Sequence, residues 1–285
     1  MLGIVGTIPE ENFPLVTGKV SLEGNQIILG DERIAVNRGT PAMIAAAAET
    51  LKYMHKPNPY CFLVGDIGNG EGCKRLYKHL ASHIAELPLK TLTLHYFQPD
   101  VGLFKQLLSA IDAMPARPTL IADAGFMYVA KMGGDASFFD LFTPDAGELA
   151  YLADEKAPHP FYTRGFILHD ENMVPDLINR AYQHNNAATY LLVKGATDYI
   201  ANRSGVLATV DSPQEEALEA IGGTGDTLTG IVSALIHSGL DLESASVKAA
   251  KINRLAGSLA RPTPATQVYD IIRQIPHVLE GVLTK

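Results

Sequence analysis

Apolar and polar positions follow two periods along this chain, and they predict strands and helices in alternation. Residues 26–30 and 33–36 read as two short strands around Asp31-Glu32, a hairpin. Thr40-Pro41 opens an alanine-rich helix reaching about Met54, with Thr40 as cap and Pro41 in the first position. Residues 60–64 form an unbroken apolar run, the mark of a strand buried on both faces. A helix over 73–86, a strand over 91–96, a helix over 101–114, a strand over 119–122 and a short helix over 126–132 follow. Further on, 141–143 leads into a helix through 149–152, and the proline-rich 157–162 reads as a loop. Helix 173–184 and strand 190–193 come next, then a hairpin of 198–201 with 206–210, turning at Asn202-Arg203-Ser204-Gly205. Three helices close the pattern, over 224–237, 242–259 and 266–275.

This alternation predicts an α/β fold of three layers, a mostly parallel sheet with helices on both faces. No linker, repeat or charge run interrupts it, so residues 1–285 are expected to form a single domain. In such folds ligands sit beyond the carboxyl ends of the strands. Asp66, Asp123, Asp145, Lys194 and the turn 222–226 all fall at strand ends or helix starts. They are expected to converge on one rim, with Asp66, Gly68, Asn69, Asp123 and Asp145 on its substrate side.

Composition narrows the partners. Hydrophobic residues make up 47%, enough for a sizeable core, and a charged share of 19% argues against disorder. The net charge of -8, with lysines and arginines scattered, argues against nucleic acid or an anionic membrane as main partner. It leaves room for a nucleotide, whose phosphates a nest of backbone N–H groups and one lysine can hold. Residues 1–7 are apolar but short and carry no basic leader, so no signal peptide is expected. No apolar run reaches the ~18 residues of a membrane span. Cys61 and Cys73 form no C-x-x-C pair, and the expectation is a cytoplasmic protein with reduced thiols. The nine histidines, among them His95, His169 and His237, are expected to form no helical or metal-type pair. Exposed faces of the alanine-rich helices are the expected surface for any homo-oligomer.

The richest stretch is Glu219-Ala220-Ile221-Gly222-Gly223-Thr224-Gly225-Asp226-Thr227-Leu228-Thr229-Gly230. Leu228, Ile231, Val232, Leu235 and Ile236 recur at steps of three and four, so a helix begins near Thr224. Gly222, Gly223 and Gly225 remove Cβ atoms where the chain enters that helix. Free N–H groups can then approach an anion, which the helix dipole also favours. Asp226 sets a negative charge beside that anion. It fits as a base aimed at a hydroxyl about to meet a phosphoryl group. A capped helix with an acidic first turn would look similar.

Other segments carry weaker signals. Residues 65–72, with Asp66, Gly68 and Asn69, lack the Lys-Ser/Thr of a phosphate loop and make no clean dinucleotide fingerprint. They read either as a flexible turn or as a wall of the substrate pocket. Asp145 and Glu148, three apart at a helix start, share one face. They read as a capping box, as indirect, water-mediated help in placing Mg2+ with nucleotide phosphates, or as both. Lys194-Gly195 after an apolar strand either faces a phosphate or is simply solvated.

Three segments in order carry a resemblance: Thr143-Pro144-Asp145-Ala146-Gly147-Glu148, Val193-Lys194-Gly195, and Gly222 to Asp226. With them the chain resembles the ribokinase-like superfamily, and within it the ADP/ATP-dependent NAD(P)H-hydrate dehydratases, also described as YjeF-related carbohydrate kinases. The resemblance runs over about residues 119–262. It implies that Gly222, Gly223, Thr224 and Gly225 form the anion hole for the transferred phosphate. Asp226 would deprotonate the acceptor hydroxyl. Lys194 and Gly195 would border the nucleotide, ADP or ATP, and Asn253 would flank the adenine. In the dehydratases the phosphorylated hydroxyl then leaves, whereas in the related kinases the ester is the product. Asp145 stands where the family usually has histidine or asparagine. The family's Tyr-x-Gly-Ala turn is missing from the N-terminal third, where Arg38-Gly39-Thr40-Pro41-Ala42 is its nearest counterpart.

Overall fold

The structure, a computed structural model, describes residues 1–157, 173–263 and 265–284. Its centre is a sheet in the order β12-β11-β10-β9-β8-β7-β1-β6-β2. The six inner strands run parallel: β10 (Tyr190–Val193), β9 (Leu141–Phe142), β8 (Thr119–Ala122), β7 (Thr91–Leu94), β1 (Leu2–Ile8) and β6 (Tyr60–Gly65). Antiparallel strands close both edges, β2 (Val16–Lys19) on one side and the hairpin β11 (Asp198–Asn202) and β12 (Gly205–Val210) on the other. A separate small sheet holds β3 (Ser21–Glu23), β4 (Gln26–Leu29) and β5 (Glu32–Ala35).

Side chains of the inner strands alternate between two cores, as a pleated strand requires. Val5, Phe62, Val64, Leu120 and Ala122 face one layer. That layer contains α2 (Glu71–His83), α3 (Val101–Asp112), α4 (Gly125–Gly133), α5 (Ala146–Ala153) and α6 (Val174–Gln183). Leu2, Ile4, Cys61, Leu63 and Ile121 face the other, with α1 (Thr40–Tyr53), α7 (Thr224–His237), α8 (Leu242–Leu259), α9 (Val268–Ile272), α10 (Ile275–Leu283) and the small sheet. The three-layer α/β expectation holds. No described helix is long and apolar enough to cross a membrane.

The differences have physical causes. The apolar N-terminus, read only as too short for a leader, is β1, a central strand buried along almost its whole length. Strand 91–96 stops at Leu94, because Tyr96 turns to φ 43°. Thr40 is not the cap of α1: Gly39 caps it, and the Thr40 hydroxyl is used elsewhere. The expected helix 266–275 divides into α9 and α10, Pro276 opening the second. His79 and His83 do form a helical pair, one turn apart on α2 with ring centroids 4.4 Å apart, which corrects the expectation of none. In the alanine-rich α1, Thr40 to Ala48, Thr50 and Leu51 are all buried. Its small side chains let α7 come close. A Cβ on Gly230 would lie 2.2 Å from the Met43 carbonyl oxygen. Of the stretch 157–162 only Ala157 lies within the described residues, and His169 lies outside them.

Candidate active site

At the carboxyl ends of the parallel strands the N-terminus of α7 meets two hollows, of about 690 and 680 Å³. Both lie within the usual range for small-molecule sites. Tyr96, Ala124, Glu148 and Asp226 line both. Strand order reverses at β1, with β6 on one side and β7 on the other, which is the place where such sheets open a crevice.

Gly223 enters α7 at φ 103°, a left-handed conformation that glycine adopts without strain. The N–H groups of the first turn behind it have no intrahelical acceptor and point out of the helix end. Asp226 sits in that turn, 12% exposed. Its Oδ2 accepts the Gly39 N–H at 2.8 Å, and its Oδ1 lies 3.0 Å from Nε2 of His95. Burial raises the Asp226 pKa, but the His95 contacts, Lys194 and the Gly39 N–H outweigh it, and the net shift is downward. The carboxylate is therefore held ionised, as a base must be before it acts.

Below Asp226, α7 turns a polar stripe toward the sheet. Thr229 Oγ1 donates to Asp123 Oδ2 at 2.7 Å, and Thr93 Oγ1 donates to Ser233 Oγ at 2.8 Å. These buried rungs fix the helix against β7 and β8. Asp123, 1% exposed, also accepts the Ala124 N–H and receives Lys194 Nζ on both oxygens, at 2.9 and 3.0 Å. Burial lowers the Lys194 pKa, yet the charges of Asp123, Glu148 and Asp226 more than compensate and keep it a cation. Lys194 thus sits in the floor of the second hollow, close to Gly225, instead of in solvent.

Gly195 follows Lys194 on the same wall, and Arg254 grips this turn. Its guanidinium donates to the Gly195 and Ala196 carbonyls at 2.8 and 2.7 Å and pairs with Asp198 at 2.7 Å. Asn253, beside it on α8, accepts from Thr227 Oγ1 at 2.6 Å and donates to the Thr224 carbonyl at 3.1 Å. It clamps the first turn of α7 while lining the same hollow. Asp145 and Glu148 form the capping box, with bonds of 2.7 and 2.9 Å. Enclosure raises the Glu148 pKa; Lys194 opposes this, and Asp123 and Asp145 add to it.

The first hollow has a different construction. Arg38, Gly39, Thr40, Tyr96, Gln98 and Tyr128 contribute to its wall, together with Gly222 and Gly223. Asp66 and Gly68 lie on it too. The Asp66 carboxylate is occupied by the N–H groups of Gly68, Gly70 and Cys73, at 2.8, 3.1 and 2.9 Å. It shapes the 65–72 loop from inside. Asn69 is exposed, caps the Glu71 N–H and stands off the wall.

The structure therefore brings Asp123, Lys194, Gly195, Asn253, Asp145, Glu148 and Gly222 to Asp226 around one pair of hollows, with Asp66 and Gly68 at the far wall and Asn69 outside. The motifs give no role to His95, Tyr96 or Arg254, and they place Arg38 and Gly39 only as the nearest counterpart of the family's missing turn. A signal existed for His95 and Tyr96, since they follow the carboxyl end of a parallel strand as Asp123 and Lys194 do.

A family model described as NAD(P)H-hydrate dehydratase matches residues 103–277. An uncharacterised protein of Methanocaldococcus jannaschii, MJ1337, is 41% identical over 242 residues, 85% of this chain and 100% of that one. Alignments with curated relatives that carry a dehydratase or NAD(P)H-hydrate repair name span no more than 56% of those relatives' length. Among solved structures, a ribokinase-like superfamily protein of Enterococcus faecalis superposes with a TM-score of 0.61 at 13% identity, covering 99% of this chain and 87% of that one. The ADP/ATP-dependent NAD(P)H-hydrate dehydratase of Bacillus subtilis, co-crystallised with ATP/Mg2+, gives a TM-score of 0.57 at 13% identity, covering 99% and 92%. These two likenesses establish the fold. With the family model spanning more than half of its length, the chain belongs to the NAD(P)H-hydrate dehydratase family.

Proposed function

We propose that this protein uses ADP or ATP with Mg2+ to dehydrate hydrated NAD(P)H, by phosphoryl transfer to the substrate hydroxyl. The observation that carries the proposal is the Asp226 carboxylate at the start of α7, on the wall common to two hollows. Phosphoryl transfer needs a donor and an acceptor in line, with a base beside the acceptor. The nucleotide occupies the hollow of Lys194, Gly195 and Asn253, with its terminal phosphate at the N–H groups of Gly222 to Gly225. The acceptor occupies the hollow of Arg38 and Tyr96. Asp226 takes the hydroxyl proton as the new O–P bond forms and the bridging P–O bond to the nucleotide breaks. The C–O bond then breaks with its electron pair going to the phosphate, and the neighbouring carbon gives up a proton, so the substrate loses the elements of water while its oxygen leaves in inorganic phosphate.

Magnesium fits the donor set. Glu148 and Asp145 offer hard carboxylate oxygens beside the place of the phosphates, and the elevated Glu148 pKa marks a site that gains from a cation. Glu148 would hold Mg2+ through water, and the ion would neutralise phosphate charge. We also read residues 1–285 as one unit, since β1 and β6 complete the sheet that carries the matched region.

One observation favours a second acceptor class. Most of the acceptor wall comes from residues 7–99, before the matched region begins. A kinase for another small alcohol would keep Asp226 and differ there. The deciding assay mixes the protein with Mg2+, ADP or ATP, and chemically hydrated NADH, and follows NADH absorbance. A rise that disappears in Asp226→Asn supports the dehydratase. A flat trace with measurable nucleotide binding supports the kinase, provided a screen of alcohols yields a phosphorylated product. Nucleotide binding with no product in either assay would leave a non-catalytic nucleotide-binding protein.

A further inference from the structure

The His95 side chain is 1% exposed and borders the second hollow, where no motif assigns it a role. Its Nδ1 is 3.0 Å from Thr40 Oγ1 and its Nε2 is 3.0 Å from Asp226 Oδ1. The second contact is off the axis of a good hydrogen bond, so Nε2 is a buried polar atom without an aligned partner, aimed at the carboxylate. Such an atom costs on the order of 1–3 kcal/mol if nothing uses it.

The surroundings hold the ring there. A Cβ on Gly6 would lie 2.4 Å from Thr40 Oγ1, so β1 leaves room for that hydroxyl. Thr93, two residues before His95, is tied to Ser233 on α7, two turns below Asp226. Tyr96 covers the ring with its centroid 4.0 Å away. Strand and helix are thus locked in the register that faces the imidazole to the carboxylate.

We infer that Thr40, His95 and Asp226 form a relay in which His95 is the positioning residue of the base. Thr40 gives its hydroxyl hydrogen to Nδ1, which leaves the ring hydrogen on Nε2. That N–H faces Asp226 Oδ1 across 3.0 Å while the Gly39 N–H holds Oδ2, and together they keep the carboxylate turned toward the acceptor. The two donors steady the ionised carboxylate until it takes the hydroxyl proton, which leaves a neutral acid beside a neutral ring. This inference rests on Asp226 acting as the base.

The other ionisable groups around the pair are Lys194, Asp123, Glu148 and the Tyr96 phenol. Asp123 is already filled by Lys194, Thr229 and the Ala124 N–H.

Two measurements test the inference. In the NADH-regeneration assay, or with whichever acceptor proves active, His95→Leu should lower kcat about 10- to 100-fold, as a misplaced reacting group does, with nucleotide KM unchanged. The acid limb of its pH profile should move to higher pH, because the base loses a donor. His95→Gln, whose amide can donate from a similar position, should recover most of the rate and the profile, and Thr40→Val should shift both in the same direction by less. A His95→Leu protein that is folded and keeps the wild-type kcat and acid limb overturns the inference. The second readout needs no activity: imidazole nitrogen NMR, with the His95 signals assigned by their loss in His95→Gln. A hydrogen on Nε2 that responds to Asp226→Asn supports the relay, and a hydrogen on Nδ1 overturns it. If Asp226→Asn is itself fully active, the base reading fails first, and the NMR result shows separately whether the pair exists.

Discussion

The two hollows that share Asp226 are built in opposite ways. The wall of the nucleotide hollow joins the ends of three parallel strands and the turns after them, around Tyr96, Asp123 and Lys194, to the first turn of α7 and to Asn253 and Arg254 of α8. Its polar groups are already paired with one another: Lys194 with Asp123, Arg254 with Asp198, Asn253 with Thr227. The acceptor wall gathers single residues from β1, the start of α1, the end of β7 and the loop after β6, and Arg38 and Tyr96 extend into it. The first wall is a preorganised frame whose polar groups pair across the sheet and between α7 and α8. The second is a shape assembled by the sheet. A common phosphate donor can keep the first unchanged while the second is altered for a new acceptor.

The largest effect should come from the residue that belongs to both. Asp226→Asn should reduce turnover by about 10²- to 10⁴-fold, the usual worth of a positioned base. Nucleotide affinity, measured by calorimetry, should remain within a few fold, because the amide keeps the size and the Gly39 contact. Equal loss of binding and rate would mean that Asp226 belongs to the nucleotide wall alone.

Next in size is the frame itself. Lys194→Met removes the cation from a carboxylate that is 1% exposed, and breaking a buried pair in this way costs about 3–5 kcal/mol. Denaturant melts should show that loss, and the double variant Lys194→Met with Asp123→Leu should recover much of it without recovering turnover. If Lys194→Met is as stable as the parent, the frame is not held by this pair.

The acceptor wall should respond differently. Tyr96→Ala removes a ring that is 48% exposed toward the chambers, so stability should change little. The acceptor KM should rise about two- to tenfold, the worth of one aromatic contact of ~0.5–1.5 kcal/mol. Tyr96→Phe should stay near the parent. A change in nucleotide KM alone would assign the ring to the other hollow.

The same division decides what was legible in the sequence. Alternating apolar runs fixed the layers, since strands buried on both faces and helices with one apolar stripe leave distinct periods. Gly222 to Asp226 could be read because a turn, a helix start and a carboxylate fall within five residues. The pairing of His95 and Gly39 with Asp226 could not, because Asp226 is far away in sequence and joins them only through the sheet order β7-β1-β6. The polar stripe of Asp226, Thr229 and Ser233 was hidden in the same helix whose apolar stripe was obvious. Thr40 before Pro41 fits a cap by sequence alone, whereas in the fold its hydroxyl goes to His95.

The smallest effect separates α7 as a helix from α7 as a site. At its far end His237 is half-buried, and its Nδ1 is buried without a hydrogen-bond partner. A helix C-terminus ordinarily favours a protonated histidine. Here burial dominates, and the chain's N-terminal ammonium, Lys90 and Lys56 add to it, so the pKa falls from 6.5 to about 4. The sign follows from linkage. Above 6.5 both folded and unfolded chains carry a neutral ring, and the group does not alter stability. As pH falls from 6.5 toward 4, the unfolded chain takes a proton that the native chain refuses, so stability drops across that window and levels below it. Asp226, lowered from 3.8, begins to destabilise the fold only at still lower pH. Denaturant midpoints compared at pH 7.5 and pH 5 should therefore fall less in His237→Gln than in the parent, while turnover at pH 7.5 stays unchanged. An equal fall in both proteins would mean that His237 accepts its proton in the native state. The burial and cations around it would then be too weak to hold the far end of α7 neutral while its near end keeps a charged base.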